Sequence, residues 1–241
     1  MITQTWFRGP RCVGQSVHMP DARPDDWVAL STQWREAFVL AWEAFQAGSP
    51  AVGAVVVGPD GSILGRGRSR RGEATAPQGQ IAGSRLAHAE LNALASLSVD
   101  VEPGTVVYTT LQPCFLCSAA AAMSRVATVW FAGRDPVWRF VHGIGDADPI
   151  LRERWYELRG PLIGPVGSWA SLLPLVDRLE RNPTGLRLDA FEADTPDLVQ
   201  FARELVAAGR VGQLRRMTLD EAVADVWTEL TALAGGAEGP V

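Results

Sequence analysis

Residue types that bind borderline-soft metals stand at short, fixed spacings in this chain: His88 with Glu90 two positions on, and Cys114 with Cys117 three positions apart. An imidazole and two thiolates suit Zn²⁺, and three protein ligands leave its fourth position to water. A metal held that way lowers the pKa of the water, so that hydroxide is available near neutral pH. The Glu90 carboxylate, left off the metal, can take a proton and return it to a leaving group. The chemistry on offer is metal-assisted hydrolysis.

Those side chains need elements that aim them at one point. On a helix, Cys114 and Cys117 share a face. Pro113 suits the first turn of that helix, where no backbone N–H is required, and a helix N-terminus favours thiolate over thiol. The apolar run 86–95 reads as a second helix with His88 and Glu90 near its start. Two helix N-termini would then face one ion, with the backbone N–H groups of Ala89 and Cys114 as candidate donors to a substrate. A Cys-x-x-Cys pair also fits a structural zinc knuckle or a redox pair. A structural site usually takes four protein ligands; here Cys12 is the one further cysteine, and His18 and His142 stand isolated.

Composition bounds the rest. With 241 residues, 47% of them hydrophobic, the chain has material for one generous domain or a domain with an appendage. No apolar run approaches the ~18 residues of a membrane span. The first residues lack the basic-then-apolar pattern of a signal peptide. Free cysteines in metal-binding spacing suggest a reducing, cytoplasmic setting. The net charge of −5 lowers the expectation of a nucleic-acid partner, because phosphate contacts need basic surface.

Along the chain, residues 1–24 read as an irregular lead-in. Asp25 or Asp26 could cap a helix carrying Trp27, Leu30, Trp34, Phe38, Trp42 and Phe45 at three- and four-residue steps. A β-hairpin follows over 51–68, turning at Pro59-Asp60-Gly61. A loop over 69–84, the first metal helix, a strand over 105–110, the second metal helix over 114–124 and a strand over 126–131 complete a domain spanning 25–148. From 149 to 241 the pattern becomes mainly helical, near 149–158, 168–180, 196–208 and 218–233, with a possible strand over 186–191. The order predicts an α/β sandwich with a mixed sheet and a helical C-terminal extension. Arg66, Arg68, Arg70 and Arg71 admit two readings: a phosphate-binding row, or a charged strand edge that resists aggregation.

His-x-Glu followed by Pro-Cys-x-x-Cys is the signature of zinc nucleobase deaminases. Residues 51–136 resemble the cytidine deaminase-like superfamily, especially the branch of tRNA adenosine deaminases, guanine deaminase and fungal-type cytosine deaminase. The resemblance rests on residues 52–57, His88-Ala89-Glu90, the stretch 111–117, Ser124-Arg125-Val126 and Gly133-Arg134-Asp135-Pro136. It implies three α/β/α layers, one Zn²⁺ held by His88, Cys114 and Cys117, with Glu90 as proton shuttle, and frequent dimerisation, hence a homodimer. It also points to Ser69 and Asp135 as substrate contacts, beside Ala89 at its helix N-terminus and Phe115 between the two cysteines. Ser69 stands where the purine-specific branch carries a base-binding asparagine. Phe115 could stack on a base or pack beneath its helix. Asp135 could touch a sugar or form a turn with Pro136.

The resulting expectation is a hydrolytic deaminase of a free nucleobase, nucleoside or related amino-heterocycle that releases ammonia. A tRNA adenosine deaminase is the alternative, and a non-catalytic zinc-stabilised module a third reading. A fused dinucleotide-dependent reductase finds no Gly-rich fingerprint in the C-terminal part.

Overall fold

A computed structural model describes residues 26–98 and 101–235. The lead-in 1–24, Asp25, Cys12, His18 and residues 236–241 lie outside the described residues. Five strands form one sheet: β1 (Gly53–Val57), β2 (Ile63–Arg68), β3 (Val106–Leu111), β4 (Thr128–Gly133) and β5 (Glu157–Arg159). Their order is β2-β1-β3-β4-β5. The pairs β1–β2 and β1–β3 are antiparallel, while β3–β4 and β4–β5 are parallel. The β-branched runs make the inner strands, and their two-residue alternation feeds two cores. Val55, Val57 and Tyr108 face one side, whereas Ala54, Val56, Val107 and Val129 face the other.

The first face is covered by α1 (Thr32–Gln46) and α5 (Gly164–Arg181). Trp34, Phe38, Trp42 and Phe45 are buried at the expected helical steps. The cap differs from expectation: Ser31 Oγ accepts the Trp34 N–H at 3.4 Å, while Asp26 closes its own turn by accepting the Val28 N–H at 3.0 Å. Trp27 and Leu30 therefore precede the helix and are still buried. A Cβ on Gly53 would come within 2.1 Å of Ala37 O, so α1 lies directly on the β1 backbone. The second face carries α2 (Ala89–Leu94) and α3 (Phe115–Met123). Together the layers make the expected α/β/α sandwich with a mixed sheet.

Beyond the sheet's fourth strand, the 3₁₀ segment Pro136–Asp146 leads to α4 (Pro149–Arg154), α5, α6 (Leu186–Asp194), α7 (Pro196–Ala207), α8 (Arg210–Leu214) and α9 (Leu219–Gly235). The helix expected over 149–158 stops at Arg154, and the chain adds β5 to the sheet instead. The strand expected over 186–191 is α6: Leu188 and Phe191, three apart, are both buried on one helical face, and that contact overrides the local two-residue alternation. Side chains of α5, α6, α7 and α9 share one core with α1 and β1. No helix of the described residues is long and apolar enough to cross a membrane.

Candidate metal centre

The second face is built by close approach. A Cβ on Gly67 would sit 2.2 Å from Ala89 O, and one on Gly65 would sit 2.5 Å from Ala93 O. Bare glycine in β2 is what lets α2 lie backbone to backbone on the strand. Asn92, fully buried, locks the preceding loop: its Nδ2 donates to Arg68 O and Ile81 O, both at 3.1 Å, and its Oδ1 accepts the Ile81 N–H at 2.8 Å. His88 is the N-cap residue of α2 and Cys114 that of α3. Pro113 therefore sits just ahead of the cap, and Cys114 Sγ accepts the Cys117 N–H at 3.5 Å.

This brings the two helix ends together. Cys114 Sγ and Cys117 Sγ are 3.3 Å apart, and His88 Nδ1 lies 3.6 Å from the first and 3.3 Å from the second. Ligand bonds of tetrahedral zinc would separate two sulfurs by about 3.8 Å and a sulfur from a nitrogen by about 3.6 Å. The donor triangle thus fits the ion by size and by type. His88, Cys114 and Cys117 are the group of potential ligands found among the described residues.

Glu90 closes the site. Its carboxylate is 5% exposed; Oε2 accepts from the Cys117 thiol at 3.2 Å, and Oε1 accepts from Thr109 Oγ1 at 3.1 Å. Burial, followed by the charge on Cys114, pushes Glu90 up from the usual carboxylate range. The Cys117 thiol hydrogen-bonded to Cys114 holds the latter down to about 4, and the same shared proton pushes Cys117 up. The hydrogen bond with Cys114 also raises His88. The protein alone therefore leans toward thiolate at Cys114, the form a metal requires.

Residues 30–133 match the family model described as the cytidine and deoxycytidylate deaminase zinc-binding region. This segment is similar to the cytidine deaminase-like superfamily. Zinc is accordingly the metal of the region. Over 153 residues the chain is 34% identical to the tRNA(Ile)-lysidine synthase of Deinococcus deserti, a match covering 62% of this chain and 25% of that protein. Over 104 residues it is 31% identical to the tRNA-specific adenosine deaminase of Agrobacterium fabrum, covering 42% of this chain and 62% of the relative. The chain thus spans less than two thirds of either relative. A solved structure from work on tRNA:A34 deaminases is 24% identical with a TM-score of 0.45, covering 54% of this chain and 91% of that one.

Around the deaminase-like centre, the remaining sequence-selected residues take distinct places. Ser69 is buried at the end of β2, its N–H donating to Val52 O at 2.9 Å and its Oγ without a hydrogen-bond partner. The next N–H, of Arg70, donates to Ala87 O at 3.0 Å, which sets Ser69 close to His88. Ala89 opens α2, where a first-turn N–H has no partner inside the helix. Phe115 is 53% exposed and so is not packed beneath α3. Asp135 is buried; its Oδ1 caps the Val137 N–H at 3.1 Å, and its own N–H donates to Gln112 Oε1 at 3.3 Å.

The arginine row divides. Arg66 pairs with Glu36 at 2.6 Å, Arg68 with Glu43 at 3.4 Å and with Glu73, and Arg70 with Glu73 at 2.7 Å. The Arg68 and Arg70 side chains are 13% exposed, so they are neither a solvated edge nor free phosphate ligands. Thr109 and Asn92 escaped the sequence reading. One looks like any β-branched strand former and the other like a polar helix residue; their partners are 19 and 24 positions away.

Proposed function

We propose that this chain is a zinc-dependent hydrolytic deaminase of an amino-heterocycle, of the nucleobase or nucleoside class, which releases ammonia. The observation that carries the reading is the buried Glu90 carboxylate held against a His88–Cys114–Cys117 donor triangle. Zinc on that triangle would supply acidity to a water in its remaining position.

The residues account for the proton traffic. Net, water adds to the amine-bearing ring carbon, the C–N bond breaks, and a carbonyl and ammonia result. Glu90 takes one proton from the water and hands one to the departing nitrogen. Burial pushes its pKa up from the usual carboxylate range, the direction that helps it hold a proton between the two transfers. Thr109 keeps one carboxylate oxygen engaged and so orients the other toward the ligands. Burying that carboxylate is costly, and a purely structural metal would not need it, which counts against a non-catalytic module.

A second reading is favoured by the relatives. Those of Agrobacterium fabrum and Bacillus subtilis are tRNA-specific adenosine deaminases, so a tRNA adenosine is the competing substrate. The test is ammonia release by zinc-loaded protein over nucleobases, nucleosides, nucleotides and a tRNA anticodon stem-loop. Glu90→Gln is expected to lower turnover at least ~10²-fold with zinc content unchanged. Full activity in that variant would sink the mechanism, and turnover of the stem-loop alone would select the second reading.

A further inference from the structure

Arg71 stands apart from its three neighbours: among the described residues it makes no ion pair with a carboxylate. Its backbone is pinned between Ala87, which accepts the Arg70 N–H at 3.0 Å, and Ser49, whose Oγ accepts the Gly72 N–H at 3.0 Å. The last turn of α5 arrives at the same place, where Arg181 Nη2 donates to Gly48 O at 2.7 Å. One turn earlier on α5 is Arg178, which also makes no ion pair. Arg187, from α6, lies with its guanidinium 5.9 Å from the Trp138 ring centre. Trp138 donates its N–H to Asp135 O at 2.9 Å, and the Asp135 N–H reaches Gln112, two residues before Cys114. Segments from the hairpin exit, α5 and α6 therefore bring their cations to the border of the metal centre.

The acids nearby are already committed. Asp177 Oδ1 is held by Arg181 at 2.9 and 2.7 Å. Glu73 is shared by Arg68 and Arg70. Asp135 is a buried turn cap that burial pushes up to about 6. Burial disfavours the charged forms of Arg71 and Arg178; the charges of Arg181, Arg85 and Arg187 disfavour the first further, and those of Arg187 and Arg71 the second. Asp177 offsets part of that cost at both arginines and Asp135 part of it at Arg178, but neither carboxylate forms an ion pair with Arg71 or Arg178.

We propose that Arg71, Arg178 and Arg187 form a phosphate site at the mouth of the metal centre, and that the heterocycle deaminated there carries a terminal phosphate, as a nucleoside monophosphate does. The guanidinium fork matches phosphate oxygens in pairs. A terminal phosphate brings about two negative charges near neutral pH, enough for several guanidiniums at one spot. A phosphodiester chain would need cations spread along a track. Here the neighbouring Arg66, Arg68 and Arg70 are consumed by Glu36, Glu43 and Glu73, and the net charge is −5. The site also gives the helical C-terminal portion a task, since Arg178 and Arg187 come from it. The position of the reacting ring rests on the deaminase reading; the anion site rests on the arginines.

The experiment is calorimetric titration of the zinc-loaded full chain carrying Glu90→Gln, so that binding is read without turnover. The probes are adenosine, guanosine and cytidine, their 5′-monophosphates, inorganic phosphate and an anticodon stem-loop RNA. At least one monophosphate should bind about tenfold or more tighter than its nucleoside, as expected for a charge-assisted contact, and inorganic phosphate should compete with it. Adding Arg71→Gln, Arg178→Gln or Arg187→Gln should each shrink that gap several-fold with zinc content and melting temperature unchanged. Equal binding of nucleoside and monophosphate overturns the site, as does a gap that none of the three substitutions alters. Tighter binding of the stem-loop, lost in the same variants, overturns it in favour of an RNA backbone. Ammonia release by the unmodified chain without phosphate preference keeps the deaminase and removes the phosphate site; phosphate binding without ammonia release from any substrate does the reverse.

Discussion

On one face of the sheet, α1 and α5 bury Trp34, Trp42 and Trp169, with the Trp42 and Trp169 rings 5.9 Å apart and Trp34 edge-on to Tyr108 at 5.1 Å. On the other face, α2 and α3 contribute mostly alanines to the core, yet they present the whole donor triangle and Glu90. Helices of 6 and 9 residues are marginal by themselves. They hold position because the sheet beneath them is flat enough, at Gly65 and Gly67, for backbone to meet backbone. Bulk stability and chemical precision are thus supplied from opposite sides of one sheet. The aromatic face can be stiff and large, because nothing has to enter or leave it.

The hardest blow to that division is Trp169→Ala. Trp169 is fully buried, and truncating such a side chain costs about 3–5 kcal/mol. That lowers the melting temperature by about 10 °C in a chain this size. The folded fraction should still bind zinc stoichiometrically, measured by metal analysis of the purified native species. Loss of zinc from protein that remains folded would show that the faces are not separable.

A matched pair sharpens the comparison. A Cβ at Gly53 would meet Ala37 O at 2.1 Å and Ala41 N at 2.5 Å, and one at Gly67 would meet Ala89 O at 2.2 Å and Ala93 N at 2.3 Å. Overpacking of this kind costs about 1–3 kcal/mol. Gly53→Ala should lower the melting temperature and leave zinc affinity within about twofold, since about 0.4 kcal/mol is all that such a change represents. Gly67→Ala should shift α2 and weaken zinc, read by chelator competition, by about tenfold or more, or ~1.4 kcal/mol. Equal effects of the two on zinc would mean that α2 is not placed by its contact with β2.

How legible all this was in the sequence follows from where each residue finds its partners. His88, Glu90, Cys114 and Cys117 announce themselves because their spacing is local and their chemistry is rare. The inner strands do so through runs such as Val55-Val56-Val57, and α1 through its aromatic steps. β5 was missed because Glu157-Leu158-Arg159 has no strand character of its own; its conformation comes from pairing with β4. Leu186 to Phe191 alternates like a strand and folds as a helix because burial of Leu188 and Phe191 decides it. Arg66, Arg68, Arg70 and Arg71 look alike in the chain, and only Glu36, Glu43 and Glu73 separate the paired from the unpaired. Arg178 carries no signal until α5 is docked.

The smallest effect probes the seam between the faces, at Asp135 just past β4. Burial raises its folded pKa from the usual carboxylate range to about 6, with the Val137 N–H, Arg178 and Arg187 opposing. A carboxyl that holds its proton better when folded contributes most to stability below its unfolded pKa, and that contribution is lost as pH rises through the folded value. By pH 7 the loss is about 2–3 kcal/mol. Asp135→Asn keeps an acceptor for the Val137 N–H and removes the titration. The variant should match the parent near pH 4 and exceed it near pH 7, with the gap opening between about 4 and 6 in melts taken across that range. A gap that stays flat with pH would mean that Asp135 ionises without penalty. Arg178 and Arg187 would then be serving it as counter-charges, and fewer of the cations beside the metal centre would be free for a ligand.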